Sequence, residues 1–273
     1  MHRSARFLAL ALLAGAIGSL PLSSLGEETD VENVETADPV PSSGVHDPWE
    51  PLNRATFAFN DTTDRWFLEP VAIGWDTVVP HRAQQGISDF FANLAFPRQF
   101  VNAALQGNGE AAGHEFGRFV MNTLFGLGGL LDPATAVGIP NPSEDFGQTL
   151  GVWGVPAGPY LVIPFLGPSN PRDAVGLIVD NFLAVERWFV PATVSYVATA
   201  TEIVNLRALS IETIRAERAS AFDFYAAVRS ASVQFRANQV RDREEAPDAS
   251  DADEDLYYFD DEEEYDDALE ADE

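Results

Sequence analysis

Between Gln148 and Pro171 the chain carries no charged side chain, within a stretch that runs EDFGQTLGVWGVPAGPYLVIPFLGPSNPRD from Glu144 to Asp173. Gly147, Gly151, Gly154, Gly158 and Gly167 alternate there with Pro156, Pro159, Pro164 and Pro168. Proline removes a backbone donor and clashes with the preceding helical turn, so no continuous helix can run through this segment. Leu150, Val152, Trp153, Val155, Tyr160, Leu161, Val162, Ile163, Phe165 and Leu166 make it apolar. Irregular backbone of this kind is stable only where other protein covers it or where it borders a wet cavity. The segment therefore reads as a buried, turn-rich hairpin or loop with helices wrapped around it. One core hairpin of a soluble domain satisfies the same pattern.

The ends of the chain differ from this interior. Arg3 and Arg6 precede an apolar run, and small residues precede Glu27, which is the pattern of a secretory signal peptide over residues 1–26. Residues 27–45 are acidic, rich in Ser, Thr and Pro, and without apolar periodicity, so a disordered linker is expected. Much of the net charge of −27 lies at the other end, where residues 244–273 hold seventeen acids and no base. Such a run predicts a disordered acidic tail. Asp251, Asp253, Asp255 and Glu262 fall on calcium-loop positions, but Leu256 stands where that loop demands glycine. The folded domain is thereby expected over residues 46–243.

Within it, apolar spacing predicts a series of short helices. The first starts near Asp47-Pro48 and carries Leu52, Ala55 and Phe59, with turn-forming residues at Thr62-Thr63 before Trp66 and Phe67. His81–Leu94 and Arg98–Gln106 follow, broken at Pro97, and then Asn108–Phe125. Gly109, Gly113 and Gly117 recur every four residues on that last helix, which points to close approach of another helix. Residues 126–142 form an apolar, Gly- and Pro-containing connection, expected as a second irregular layer beside the hairpin. Ala174–Val190 is expected as a helix, and a long helical region from Val194 to Arg243 is expected to bend near Ser210 or Ser220. Its arginines read as a solvated face with intrahelical pairs such as Glu212 with Arg215, or as contacts to phosphate head groups. None of these segments reaches the roughly 20 apolar residues that a bilayer-spanning helix needs.

Several chemistries are excluded or poorly supported. Lysine is absent, so there is no Walker-type phosphate loop and no Schiff-base lysine. Cysteine is absent, so there is no thiol nucleophile, thiolate ligand or disulfide. His46, His81 and His114 show no metal-ligand spacing, and no cofactor or metal is expected. No serine occupies a G-x-S-x-G turn, Ser169 reads as a turn or cap residue, and an enzyme is not expected. Residues 51–243 set eighteen acids against fourteen arginines, which offers no basic face for a nucleic acid.

Beyond these readings, several blocks of the chain together carry a resemblance to a known family. Phe146-Gly147, Thr149-Leu150-Gly151, Trp153-Gly154-Val155, Gly158-Pro159-Tyr160, Pro164, Gly167-Pro168-Ser169 and Arg172-Asp173 carry the resemblance in the hairpin region. Asp47-Pro48-Trp49-Glu50-Pro51-Leu52-Asn53-Arg54 with Phe59-Asn60 carries it at the start of the domain. Pro70-Val71-Ala72, Val101-Asn102, Leu105-Gln106-Gly107 and Arg118-Phe119 through Asn122-Thr123 to Gly129 match in the same order, and the family that the chain thereby resembles is MlaA (VacJ), outer-membrane phospholipid-transport proteins. The resemblance implies a mainly all-α fold, a ring-like assembly of short amphipathic helices around the Gly/Pro-rich hairpin, which lines a channel. It implies phospholipid transport that maintains outer-membrane lipid asymmetry, on the periplasmic face of the outer membrane. The implied partners are phospholipid, the membrane, outer-membrane porin trimers and a periplasmic carrier like MlaC. Phe59 and Asn60 fall where the family has a channel-controlling pair, and Trp153, Tyr160 and Phe165 are further candidates for the lipid path. The family is usually anchored by a lipidated cysteine, and this sequence departs from it there. A non-transporting envelope scaffold that binds a porin is the competing expectation.

Overall fold

A computed structural model describes residues 46–244. The expected signal peptide, the 27–45 linker and the tail beyond Glu244 lie outside the described residues.

Helix α1 (Glu50–Thr63) begins with Pro51 in its first turn, where a missing N–H costs nothing. The turn expected at Thr62-Thr63 does not form. Both hydroxyls donate back to the carbonyls of Ala58 and Phe59, at 2.7 and 2.9 Å, and so stay within the helix. The chain continues through a π-helical segment (Asp64–Leu68) into α2 (Glu69–Val78) without leaving the helical path. Pro70 lies in the first turn of α2, and the wider π ladder just before it relieves the carbonyl that its ring would strike.

The π segment also sets the phase of the charges. In an unbroken α-helix, Glu69 would lie about 140° around from Asp64; one inserted residue brings it back to about 40°. Asp61, Asp64 and Glu69 therefore share a face. Opposite them are α9 (Ala192–Leu209) and α10 (Ile211–Ser220). Arg207 grips Asp64 at 2.7 and 3.0 Å and Glu69 at 3.0 Å. Arg218 reaches Asp61 at 2.8 Å, and Arg215 reaches Glu69 at 2.6 Å. The expected pair Glu212–Arg215 exists at 3.6 Å, but the main bonds of these arginines cross between elements. Their role as a merely solvated face is thus corrected: they cross-link the two ends of the domain.

Between these lie α3 (His81–Leu94), α4 (Phe96–Leu105) and α5 (Gly109–Leu124). Pro97 sits inside the first turn of α4, and the break falls two residues earlier, at Ala95. Helix α5 buries Ala111, Glu115, Arg118 and Asn122, at i, i+4, i+7 and i+11. Its glycines are on the other side: a Cβ on Gly109, Gly113 or Gly117 would meet nothing within 4 Å. The close helix approach expected there occurs elsewhere, between α7 (Phe146–Val152) and α8 (Pro171–Leu183). A Cβ on Gly176 would lie 2.4 Å from the Gly147 nitrogen, so backbone touches backbone.

The connection after α5 holds a short helix α6 (Pro133–Ala136), tied down by Arg118 and Asn122 to Asp132 at 2.6 and 2.9 Å. Strands β1 (Leu161–Ile163) and β2 (Gly167–Ser169) pair antiparallel, with Val162 opposite Pro168. Helix α8 stops at Leu183, short of the expected Val190, and a 3-10 turn (Val185–Trp188) leads into α9. A bend is expected near Ser210 or Ser220, and the helical path breaks at both, the second break leading to α11 (Phe224–Glu244).

The domain is mainly helical, and its burial pattern is inverted. Among the described residues, polar and charged side chains outnumber apolar ones in the buried set, with Asn53, Gln84, Asn102 and Asn205 fully enclosed. Large apolar residues lie outside instead, among them Trp66 at 81%, Val78 at 79%, Phe189 at 83% and Phe125 at 71% exposure. No helix among the described residues is long and apolar enough to cross a membrane.

Candidate functional site

A three-residue hairpin with proline in one strand has few ladder bonds and is marginal alone. Helix α1 supplies what it lacks. Asn53 Nδ2 donates to the Tyr160 carbonyl at 3.0 Å, and its Oδ1 accepts the Val162 N–H at 2.9 Å. Two helical turns later, Asn60 Nδ2 donates to the Ile163 carbonyl at 3.0 Å and its Oδ1 accepts the Phe165 N–H at 2.8 Å. Seven helical residues rise about 10.5 Å, and three strand residues about 10 Å. The two amides are therefore commensurate with β1 and pair with it as a neighbouring strand would. Between them Phe57 packs into a core cluster with Tyr160, Val162, Tyr225 and Val228.

The two clasps differ in their surroundings. Asn53 is fully buried, whereas Asn60 lies at the tip, where Phe59 and Phe165 meet edge to face at 5.2 Å between ring centres. Phe59 is 48% and Phe165 72% exposed. Phe165 also holds a left-handed backbone, φ 63°, which costs a side-chain-bearing residue about 1 kcal/mol. Asn60 holds the N–H of that strained residue.

Of the residues expected along the lipid path, Phe59, Asn60, Phe165, Trp153 and Tyr160, the first three come together here. Trp153 belongs to another contact: its indole N–H donates to the Leu105 carbonyl at 3.0 Å and its ring meets Phe146. Tyr160 is 3% exposed inside the core cluster, so it frames the hairpin from behind. Asn53 was not among the named residues, although its seven-residue spacing from Asn60 on an amphipathic helix was a readable signal.

The root of the hairpin region is fixed by charge. Arg236 on α11 bonds Asp145 at 2.6 Å and Asp173 at 2.8 Å, the residues that open α7 and α8. Burial pushes the Asp145 carboxyl up, but Arg236 and the Gln148 N–H hold it well below the usual carboxylate range. Asn170, not Ser169, caps α8 by accepting the Asp173 N–H at 2.9 Å. Beneath α7, Asn102 donates to Asp180 at 2.8 Å and Gln106 donates to Glu144 at 2.9 Å. Glu115 accepts the Ser143 N–H at 3.0 Å, and burial pushes its carboxyl up to about 7. These carboxyls are engaged in holding backbone and amide groups. No cluster of His, Cys, Asp or Glu among the described residues has the geometry of a metal site.

Residues 45–239 match the family described as MlaA lipoprotein. The chain is similar to the intermembrane phospholipid transport system lipoprotein MlaA of Haemophilus influenzae, 32% identical over 248 residues that cover 87% of this chain and 95% of that protein. The Escherichia coli protein of the same description is 40% identical over 152 residues, 53% of this chain and 59% of its own. For an uncharacterized protein of Rickettsia felis the match is 39% over 138 residues, so the chain spans about half of that relative, 55%. A solved structure described as the structural basis for maintenance of bacterial outer membrane lipid asymmetry is 33% identical. It aligns with a TM-score of 0.59 and covers 71% of this chain and 98% of its own.

Proposed function

The chain belongs to the MlaA lipoprotein family, and we propose that it removes misplaced phospholipid from the outer leaflet of the outer membrane. In this reading the domain lies in the periplasmic leaflet, beside porin trimers, and passes lipid through a channel to a periplasmic carrier like MlaC. The observation that carries it is the inverted burial: apolar side chains face outward, and amides and ion pairs face inward. In water that distribution would leave Trp66, Phe67, Val78 and Phe189 unshielded. In a leaflet they meet hydrocarbon, and short helices can lie along it without spanning it. This apolar surface holds the domain in the membrane.

The path for lipid runs past the hairpin tip, where Phe59, Asn60 and Phe165 combine two exposed rings with one amide. The clasp at Asn60 holds the tip closed, and its release opens the path. Trp153 lies on the rim of the path, and Tyr160 supports its wall. A protein path needs only to keep acyl chains out of water, at about 0.8 kcal/mol for each methylene. Among relatives described as transport lipoproteins the work is movement of lipid, and no catalytic group is needed here.

The test is a deletion strain scored for phospholipid in the outer leaflet, with and without the wild-type chain supplied in trans. Accumulation in the deletion strain, reversed on complementation, is expected. Unchanged outer-leaflet phospholipid, with a porin still co-purifying with the chain, would favour a scaffold that handles no lipid.

A further inference from the structure

Of the two amides that clasp the hairpin, only one has its orientation dictated by a charge. Asn53 Nδ2 has two N–H donors. One goes to the Tyr160 carbonyl, at 3.0 Å, and the other to Asp47 Oδ1, at 2.8 Å. Were the amide turned over, its oxygen would face a carboxylate and its NH2 group would face the Val162 N–H. Both contacts would be repulsive. Asp47 is itself fixed: its side chain is 2% exposed, and Oδ2 accepts Arg229 Nη1 at 3.0 Å and the Tyr225 hydroxyl. Burial raises the Asp47 carboxyl, but the bonds from Tyr225, Asn53 and Arg229 hold it below the usual range, so it stays an acceptor. One residue earlier, the His46 carbonyl accepts the Tyr160 N–H at 3.1 Å. The segment that leads into α1 is thus bonded to the first residues of the hairpin. Among the described residues, the hydrogen bonds of Asn60 go to Ile163 and Phe165, and none reaches a charged partner.

We propose that Asp47 is a positioning residue for the hairpin: it fixes the amide of Asn53 so that the lead-in segment, α1 and β1 move as one unit while the tip at Asn60 is left free to swing. The inner clasp is the hinge and the outer clasp the latch. This rests on the reading of the hairpin as the gate of the lipid path, and it adds where the gate is pivoted. It also makes residues 46–47 the point at which anything acting on the preceding segment would be felt at the gate.

The chain has no cysteine, so one introduced thiol reports one place. Val162 is 3% exposed on β1, and Val162→Cys is a thiol that labels only when the inner part of the hairpin lifts. Ile214, 1% exposed on α10, serves as the remote control through Ile214→Cys. Asp47→Ala should raise labelling at position 162 about tenfold and leave position 214 unchanged. Asn53→Ala should do the same, and the double variant should label no faster than Asn53→Ala alone, because Asp47 acts through that amide. Should Asp47→Ala fail to fold, Asp47→Asn, which keeps one acceptor, should raise labelling by a smaller factor. Unchanged labelling in the Asp47 variants, additive effects in the double variant, or an equal rise at position 214 would overturn the proposal. A rise at 162 with outer-leaflet phospholipid unchanged would leave the positioning role standing and remove the gate reading instead.

Discussion

Replacing Phe59 and Asn60 together with alanine should raise outer-leaflet phospholipid nearly to the level of a deletion strain while protein abundance stays close to wild type. The replacement removes two hydrogen bonds to the hairpin tip, 2.8 and 3.0 Å long, and one edge-to-face ring contact. At about 1 kcal/mol for each of the three, the closed tip loses roughly 3 kcal/mol relative to the open one, or about a hundredfold. The left-handed backbone of Phe165 then loses the amide oxygen that accepts its N–H. The rest of the domain loses little, because the rings are 48% and 72% exposed and the core cluster around Phe57 is untouched. Deleting the pair outright is a harsher change. It turns everything beyond residue 60 by about 200° relative to Asn53 and disturbs the charged face as well, so abundance should fall too. Equal loss of abundance and of lipid asymmetry in the alanine variant would make the pair merely structural.

The largest effect on stability is expected at Arg207. Its side chain is 5% exposed and holds Asp64, 8% exposed, together with Glu69. Arg207→Ala leaves two buried carboxylates short of a cation, with Arg218 and Arg215 already committed to them and to Asp61. Breaking a buried pair by removing one partner costs about 3–5 kcal/mol. The comparison is Arg54→Ala, whose bonds to Glu50 and Asp223 lie at a surface where all three side chains are exposed, and which should cost about 1 kcal/mol or less. Denaturant unfolding of both variants in the same detergent measures the difference. A loss at Arg207 no larger than at Arg54 would show that the π-phased acidic face does not hold the domain together.

Much of the helical layout was readable from spacing alone. Proline and serine positions marked the starts and bends of α1, α4, α9 and α10 to within a few residues, because those residues act through local backbone chemistry. What spacing could not show was which face of a helix turns inward. The glycines of α5 look like a packing stripe, yet the buried stripe is Ala111, Glu115, Arg118 and Asn122. In a domain that buries amides and exposes phenylalanines, the usual rule that apolar residues mark the inside points the wrong way. The turn expected at Thr62-Thr63 failed for a related reason. A threonine hydroxyl can bond back into its own helix, and the long-range pull of Arg207 on Asp64 and Glu69 favours the continuous π-phased helix. Of the candidate site, Phe59 and Asn60 were named from the resemblance and Phe165 as a further candidate, and the three stand together. Asn53, Asp47 and Arg236 were visible as residues but not as partners, since their bonds reach more than sixty positions along the chain to Tyr160, Tyr225 and Asp173.

A leaflet-embedded gate requires the exposed rings to lie in hydrocarbon. Single cysteines can be placed at Trp66, 81% exposed on the π segment, and at Glu212, whose side chain is 89% exposed on α10. Each is labelled with a nitroxide after reconstitution into phospholipid bilayers and exposed to oxygen, which concentrates in lipid, and to a water-soluble nickel chelate. The position-66 label should relax with oxygen and be shielded from nickel, with the reverse at position 212. Equal access of nickel to both positions would mean that the outward-facing aromatics stand in water, and the leaflet-embedded gate would have to be abandoned.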